Sequence, residues 1–333
     1  MTTDTKLSTL GEFGLIDRIA AHVAGGEGVI TGIGDDAAVT VLTPGMQLLT
    51  STDMLLEDVH FRTTWHDPLA LGRKSLGVSI SDVAAMGAIP RWALLSLAIP
   101  AGFPLEFLDR FTEGFLAMAG EHGVTLIGGD TCSSKNGLVI SVTIMAEQFP
   151  HLILRRSGAR AGDEIWVSGT LGDAALVLSL LEDGAVCDEP SLLSRLLDPS
   201  PRTRVGHALA ESGLVSAMID VSDGLLADFG HIAQQSGVGG VLYLERLPIS
   251  ADFRRRASRF PSFPHHLILS GGEDYELAFT AAAENHEKIE SIVKNSGIQA
   301  TAVGIVTSFS GVEVVMEDGS RYIPRKPGFT HSI

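Results

Sequence analysis

Thr31-Gly32-Ile33-Gly34-Asp35-Asp36-Ala37-Ala38-Val39, then Thr43-Pro44-Gly45, then Leu48-Leu49-Thr50-Ser51-Thr52-Asp53, closing on Val59-His60-Phe61, is the stretch around which this chain is organised. Apolar, β-prone runs flank Pro44-Gly45, and such punctuation predicts a reversal between paired strands. On that reading Asp35-Asp36 enter a hairpin and Ser51-Thr52-Asp53 leave it, so both acidic groups lie at one end. Adjacent carboxylates repel unless a cation or solvent relieves them. Hydroxyls beside carboxylates form an oxygen-only donor set suited to Mg²⁺. The competing reading is an Asp-rich turn that caps nearby backbone amides.

Outward from this stretch, Phe13, Ile16, Ile19, Ala20 and Val23 recur at helical spacing before the break at Gly25-Gly26. Asp67-Pro68 is a capping residue followed by proline at the first helical position, which predicts a helix running to about Gly87. Ser75, Ser79 and Asp82 share one face of that helix. A carboxylate on so apolar a helix needs a partner: Arg73, a backbone amide, or a cation shared with the Asp35-Asp36 and Asp53 turns. Strands are predicted at Trp92 to Ile99, Val124 to Ile127 and Leu138 to Phe149, with a helix over Pro104 to His122. Gly128-Gly129-Asp130-Thr131 reads as a tight turn, or as a close backbone approach to a ligand.

A domain boundary is expected near Phe149-Pro150, giving residues 1–149 and 150–333. Beyond it come a strand at Glu164 to Val167, a helix through Leu181, a connector at Asp198-Pro199-Ser200-Pro201 and a strand at Ala217 to Val221. That last strand runs into Asp220-Val221-Ser222-Asp223-Gly224. Leu269-Ser270-Gly271-Gly272-Glu273-Asp274-Tyr275-Glu276-Leu277 repeats the glycine-then-acid form. A helix near Asn285 to Asn295 and strands near Ala302 to Val306 and Val312 to Met316 complete a two-domain α/β (α+β) pattern.

At 333 residues and 45% hydrophobic content, two sizeable cores can be built. With 24 basic against 40 acidic residues the net charge is −16, which argues against nucleic-acid or anionic-membrane partners. Cys132 and Cys187 form neither a metal motif nor a disulfide framework, so a reducing cytoplasm is expected. The glycines make no dinucleotide or P-loop fingerprint, and no acylation triad is evident. Many carboxylates at the ends of apolar elements, few bases and no marked nucleophile point to phosphoryl transfer through metal ions.

Taken in order, Gly11-Glu12-Phe13, Gly32 to Ala37, Ser51-Thr52-Asp53, His60-Phe61, Ser81 to Ala88, Leu126 to Thr131, Arg156-Ser157-Gly158, Ile219 to Leu225 and Leu269 to Leu277 resemble the thiamine-monophosphate kinases. These enzymes belong to the aminoimidazole-ribonucleotide-synthetase-like superfamily. The resemblance implies a two-domain synthetase-like fold, with an N-terminal domain that forms a dimeric β-barrel with a second subunit and a C-terminal α/β domain. It implies ATP-dependent conversion of thiamine monophosphate to thiamine diphosphate with several Mg²⁺ ions. By motif, Asp36, Ser51, Thr52, Asp53, Asp82, Asp130, Asp220 and Asp223 are the implied metal ligands, with Asp53, Asp130 and Asp223 closest to the chemistry. Gly129-Asp130, Arg156 and Ser222 are implied ATP contacts. His60, Glu273 and Phe329 are implied contacts to the thiamine phosphate. Three positions depart from the family pattern: Ser79 replaces the usual asparagine, Asp58 stands near a usual glycine, and the tail from Gly328 is only similar. The rival readings are a selenophosphate or purine-pathway synthetase and a non-catalytic metal-binding scaffold. No cysteine precedes Cys132, where a selenophosphate synthetase places its reactive group.

Overall fold

The computed structural model describes residues 7–260, 262–324, 326, 328 and 329, with residues 7–9 described by backbone alone. Two compact units result, Met1–Val83 with Ile89–Pro150, and Ala84–Ala88 with His151–Ile333.

The first unit contains helix α1 (Leu7–Ala20), strands β1 (Val29–Thr31), β2 (Val39–Thr40) and β3 (Gln47–Leu56), helix α2 (Pro68–Ala85), β4 (Ile89–Pro100), α3 (Leu105–His122), β5 (Thr125–Ser134) and β6 (Val139–Gln148). Its four-stranded sheet has the order β3-β6-β4-β5. Leu49 and Leu55 of β3 are buried, whereas Leu48, Thr50, Thr52 and Met54 alternate with them and are exposed. That two-residue period is the signature of a sheet with one covered face. Helices α2 and α3 cross backbone to backbone: a Cβ on Gly72 would lie 1.9 Å from the Phe111 carbonyl oxygen, and one on Gly114 1.9 Å from that of Leu69.

The Pro44-Gly45 reversal exists, with the Met46 amide donating to the Thr43 carbonyl at 3.1 Å, but it does not make the expected hairpin. β2 pairs with β1, and β3 pairs antiparallel with β6 over ten residues, Gln47 opposite Gln148 through Leu56 opposite Val139. The buried Glu147 carboxylate accepts from the Thr43 amide (2.6 Å) and hydroxyl (2.9 Å), docking the turn on β6. A ten-residue ladder outweighs anything a two-residue strand can offer.

Gly128-Gly129-Asp130 is likewise no turn. It lies inside β5, parallel to β4, where a Cβ on Gly129 would be 1.7 Å from the Leu95 carbonyl oxygen. Close approach of two backbones, not reversal, is what requires glycine here.

The second unit contains β7 (Asp163–Ser168), α4 (Asp173–Glu182), α5 (Pro190–Leu197), α6 (Thr203–Ser212), β8 (Val215–Val221), α7 (Leu225–Ser236), β9 (Gly239–Tyr243), α8 (Ala251–Ala257), α9 (His265–Leu269), β10 (Glu276–Ala282), α10 (His286–Asn295), β11 (Ala300–Thr307), β12 (Gly311–Val315) and β13 (Arg321–Tyr322). These strands form one mixed sheet of order β13-β12-β9-β11-β7-β10-β8. One apolar cluster, including Leu176, Ile219, Phe229 and Leu242, and another, including Trp166, Phe279 and Ile289, fill its core. Among the described residues no helix is long and apolar enough to cross a membrane.

Candidate active site

In the first unit, strand period and helix period bring three expected residues, Ser51, Asp53 and Asp82, together. Ser51 and Asp53 are two apart on β3, and Ser79 and Asp82 are three apart on α2, so each pair shares a face. The Ser79 hydroxyl donates to Asp53 Oδ2 at 2.6 Å, and the Ser51 hydroxyl donates to Asp82 Oδ2. Burial and then the Asp82 charge push the Asp53 carboxyl up to about 6, with the Ser79 hydroxyl opposing them. Two carboxylates whose charges disfavour each other, each accepting a serine hydroxyl, fit a hard divalent cation such as Mg²⁺. Ser75 takes no part, because its hydroxyl donates to the Leu71 carbonyl of its own helix (2.7 Å).

Other expected ligands lie elsewhere. The Thr52 hydroxyl is on the opposite face of β3, 3.0 Å from the Thr143 hydroxyl and 3.2 Å from the Val142 carbonyl. Asp36 is exposed in the turn between β1 and β2, its amide donating to Asp35 Oδ1 at 2.8 Å. Asp130 is exposed on β5. The register runs from Met54 to Ser141, Ser96 and Asp130, so three strand spacings, about 14 Å, separate the Asp53 and Asp130 edges of the sheet. Among the described residues no three His, Cys, Asp or Glu side chains converge on a point that could hold one cation. The Asp53–Asp82 pair with its two hydroxyls is therefore the formed kernel.

His60 is half-buried, and its Nδ1 accepts the Leu56 amide at 3.1 Å. In the neutral ring that assignment puts the proton on Nε2 and makes it a donor. Asp58, beside the usual glycine, has φ 66°, a left-handed conformation that Asp tolerates better than most residues.

In the second unit, Ser222, Asp223, Glu273 and Phe329 converge at the end of β8. The Glu273 amide donates to the Ser222 carbonyl (2.8 Å), and the Phe329 amide to that of Asp223 (3.0 Å). Phe329 is itself exposed, whereas Asp220 is buried on β8 opposite Leu277 of β10. The tail beyond Phe329 lies outside the described residues. Arg156 is exposed, in a loop tied to α7 where the Ser236 hydroxyl takes the Gly158 and Ala159 amides at 3.1 and 3.2 Å.

Sequence reasoning missed Asp228. Its Oδ2 accepts the amides of Ser222 and Asp223 (both 3.1 Å) and Gly224 (3.0 Å), which fixes the acidic loop at the N-terminus of α7. Burial, then the Asp223 charge, pushes this carboxyl up to about 7 despite three donors that favour its ionised form. An acid in the first turn of a helix, four residues after glycine, was the available signal.

With this geometry in place, comparison with known proteins is decisive. Residues 34–147 match the model for the N-terminal domain of AIR synthase related protein, and residues 160–317 that for its C-terminal domain. The thiamine-monophosphate kinase of Haemophilus influenzae is 36% identical over 306 residues, 91% of each chain. A crystal structure of the Stenotrophomonas maltophilia thiamine-monophosphate kinase is 39% identical, covering 92% of this chain and 96% of that one, with a TM-score of 0.83. A structure described as AaThiL complexed with AMPPCP and TMP is 33% identical, covers 99% and 100% of the two chains, and has a TM-score of 0.76. Matching both domain models and similar to these kinases over nearly its whole length, the chain belongs to the AIR synthase related family and, within it, to the thiamine-monophosphate kinases.

Proposed function

We propose that this protein transfers the γ-phosphoryl group of ATP directly and in line to thiamine monophosphate, the last step of thiamine diphosphate biosynthesis, in the cytoplasm. The Asp53–Asp82 pair with the Ser51 and Ser79 hydroxyls is the observation that carries the reading. Those four side chains would hold Mg²⁺ in the first unit, where Asp36, Thr52 and Asp130 are further proposed ligands; Asp220 and Asp223 are proposed ligands in the second. Bound there, the ions would neutralise charge on the two phosphate-bearing substrates. Arg156, Ser222 and the Gly129-Asp130 backbone are assigned to ATP. Asp228 fixes the loop that presents Ser222 and Asp223.

The acceptor follows from His60. With Nδ1 accepting the Leu56 amide, that nitrogen is not available as a base. An acceptor that is a free alcohol needs a base, whereas a phosphate oxygen is already ionised at neutral pH and needs only screening and alignment. Glu273 and Phe329 are assigned to the same substrate. Given ATP labelled in its γ-phosphate, the protein should label thiamine diphosphate only when thiamine monophosphate is supplied. Comparable efficiency on free thiamine, or a trapped labelled protein, would refute direct transfer to a phosphate acceptor.

A second copy completes the N-terminal sheet in this reading. Leu48 and Met54 are 48% and 58% exposed on one face of β3, and Val39 and Val41 are 49% and 56% exposed, apolar side chains that a second copy would cover. Sedimentation at micromolar concentration should give a mass near twice 35.2 kDa. A fully active monomer would count against it.

A further inference from the structure

The loop that carries Glu273 is strained. Glu273 has φ 72° and Tyr275 φ 49°, a region that non-glycine residues occupy at a cost of order 1 kcal/mol each. Such a conformation persists only when its surroundings over-determine it.

Beneath the loop lies a buried charge network for which the proposed chemistry has no use. Glu276, fully buried at the start of β10, accepts from Arg202 Nε (2.7 Å), from the terminal amine of Arg202, from the terminal amine of Arg195 (2.9 Å) and from the Ser168 hydroxyl (2.7 Å). The same Arg195 amine donates to the Thr170 carbonyl (2.9 Å) and, more weakly, to the Asp274 carbonyl (3.4 Å). Both Asp274 carboxyl oxygens take the Gly172 amide, at 3.1 and 2.9 Å, at the N-terminus of α4, while burial pushes this carboxyl well above the usual aspartate range. A Cβ on Gly169 would lie 2.2 Å from Glu276 Oε1, so the neighbouring loop is shaped to admit this carboxylate. On the other side, the Glu273 and Tyr275 amides donate to the Ser222 and Val221 carbonyls, each at 2.8 Å. The Tyr275 hydroxyl reaches Glu273 Oε1 at 3.4 Å. Among the described residues, Arg195 bonds Glu276, the loop's main chain and the Thr170 turn together.

We propose that Arg195 is a positioning residue: by tying Glu276 and the Thr170 and Asp274 carbonyls into one knot, it holds Glu273 in its left-handed conformation for the acceptor phosphate substrate. The assignment rests on the reading of Glu273 as an acceptor contact. Lysine keeps the charge but is one bond shorter, so its ammonium stops short of the point at which a single terminal amine of Arg195 meets all three partners.

The test compares Arg195→Lys, Arg195→Gln and Glu273→Gln in the full-length protein by steady-state kinetics and by amide hydrogen exchange. Either Arg195 variant should raise the KM for thiamine monophosphate about tenfold, the scale of one lost charge-assisted hydrogen bond, with the KM for ATP and kcat little changed. The Glu273 and Tyr275 amides should exchange faster, while those of Ala278 and Phe279 within β10 keep their protection. Glu273→Gln should raise the same KM, and adding Arg195→Lys should raise it little further, since both act through one contact. Unchanged exchange at Glu273 and Tyr275 overturns the proposal. So does an equal rise in both KM values, or loss of protection throughout β10 in both Arg195 variants, because positioning requires a local effect. If Arg195→Lys raises the acceptor KM but Glu273→Gln does not, the assignment of Glu273 itself is wrong.

Discussion

Replacing Asp53 by asparagine should lower turnover by at least about a hundredfold, the scale of losing one major electrostatic stabiliser, and should make the metal-free protein more stable near neutral pH. Both effects come from the same charge. The Asp53 carboxyl is held at about 6, above its ordinary 3.8, first by burial and then by Asp82. The fold therefore binds this proton more tightly than the unfolded chain does. Its contribution to stability is full below about 3.8 and is lost as the pH rises through about 6. Asparagine carries no charge to desolvate and can still accept the Ser79 hydroxyl. In chelator, the melting temperature of Asp53→Asn relative to the parent should thus rise between about pH 4 and about pH 7 and level off above it. Near-normal turnover of the variant at saturating Mg²⁺ would remove Asp53 from the site. A stability difference independent of pH would show that its buried charge is not what strains the fold.

The largest stability effect is expected at Glu276. It is fully buried, and Arg195 and Arg202, each about five-sixths buried, both pair with it. Burial alone would raise this carboxyl, but the two guanidinium groups hold it below the usual glutamate range. Glu276→Ala leaves two cations facing a cavity, and breaking a buried pair from one side costs about 3–5 kcal/mol. In a unit of this size that amounts to a fall in melting temperature of roughly ten degrees. Glu276→Gln keeps the shape and the Ser168 hydrogen bond and should lose less. Thermal unfolding of both variants, followed by near-ultraviolet circular dichroism, decides it. An unchanged midpoint for Glu276→Ala would mean that water reaches the network and screens it.

Local signals in the chain were enough for many of the elements and for part of the site. Asp67-Pro68 starts α2, the Asp198-Pro199-Ser200-Pro201 connector separates α5 from α6, and the spacing of Ser79 and Asp82 sets them on one helical face, because caps and helical period act within a few residues. The acidic motifs were likewise legible as ordered sequence, and with them the family. Partner choice was not. Pro44-Gly45 correctly signals a reversal, but no local feature reveals that β3 pairs with β6, a hundred residues away, and not with β2. Gly128-Gly129 looks like a turn because its need for glycine comes from the neighbouring strand β4, which the motif itself does not contain. Thr52 reads as a ligand beside Ser51 and Asp53 until the two-residue period of β3 turns its hydroxyl to the other face. Asp228, Arg195 and Glu276 stay silent for a related reason. Each acts by satisfying groups brought to it from loops and strands that only the folded chain assembles, and burial, which gives those contacts their energy, is a property of the tertiary structure alone.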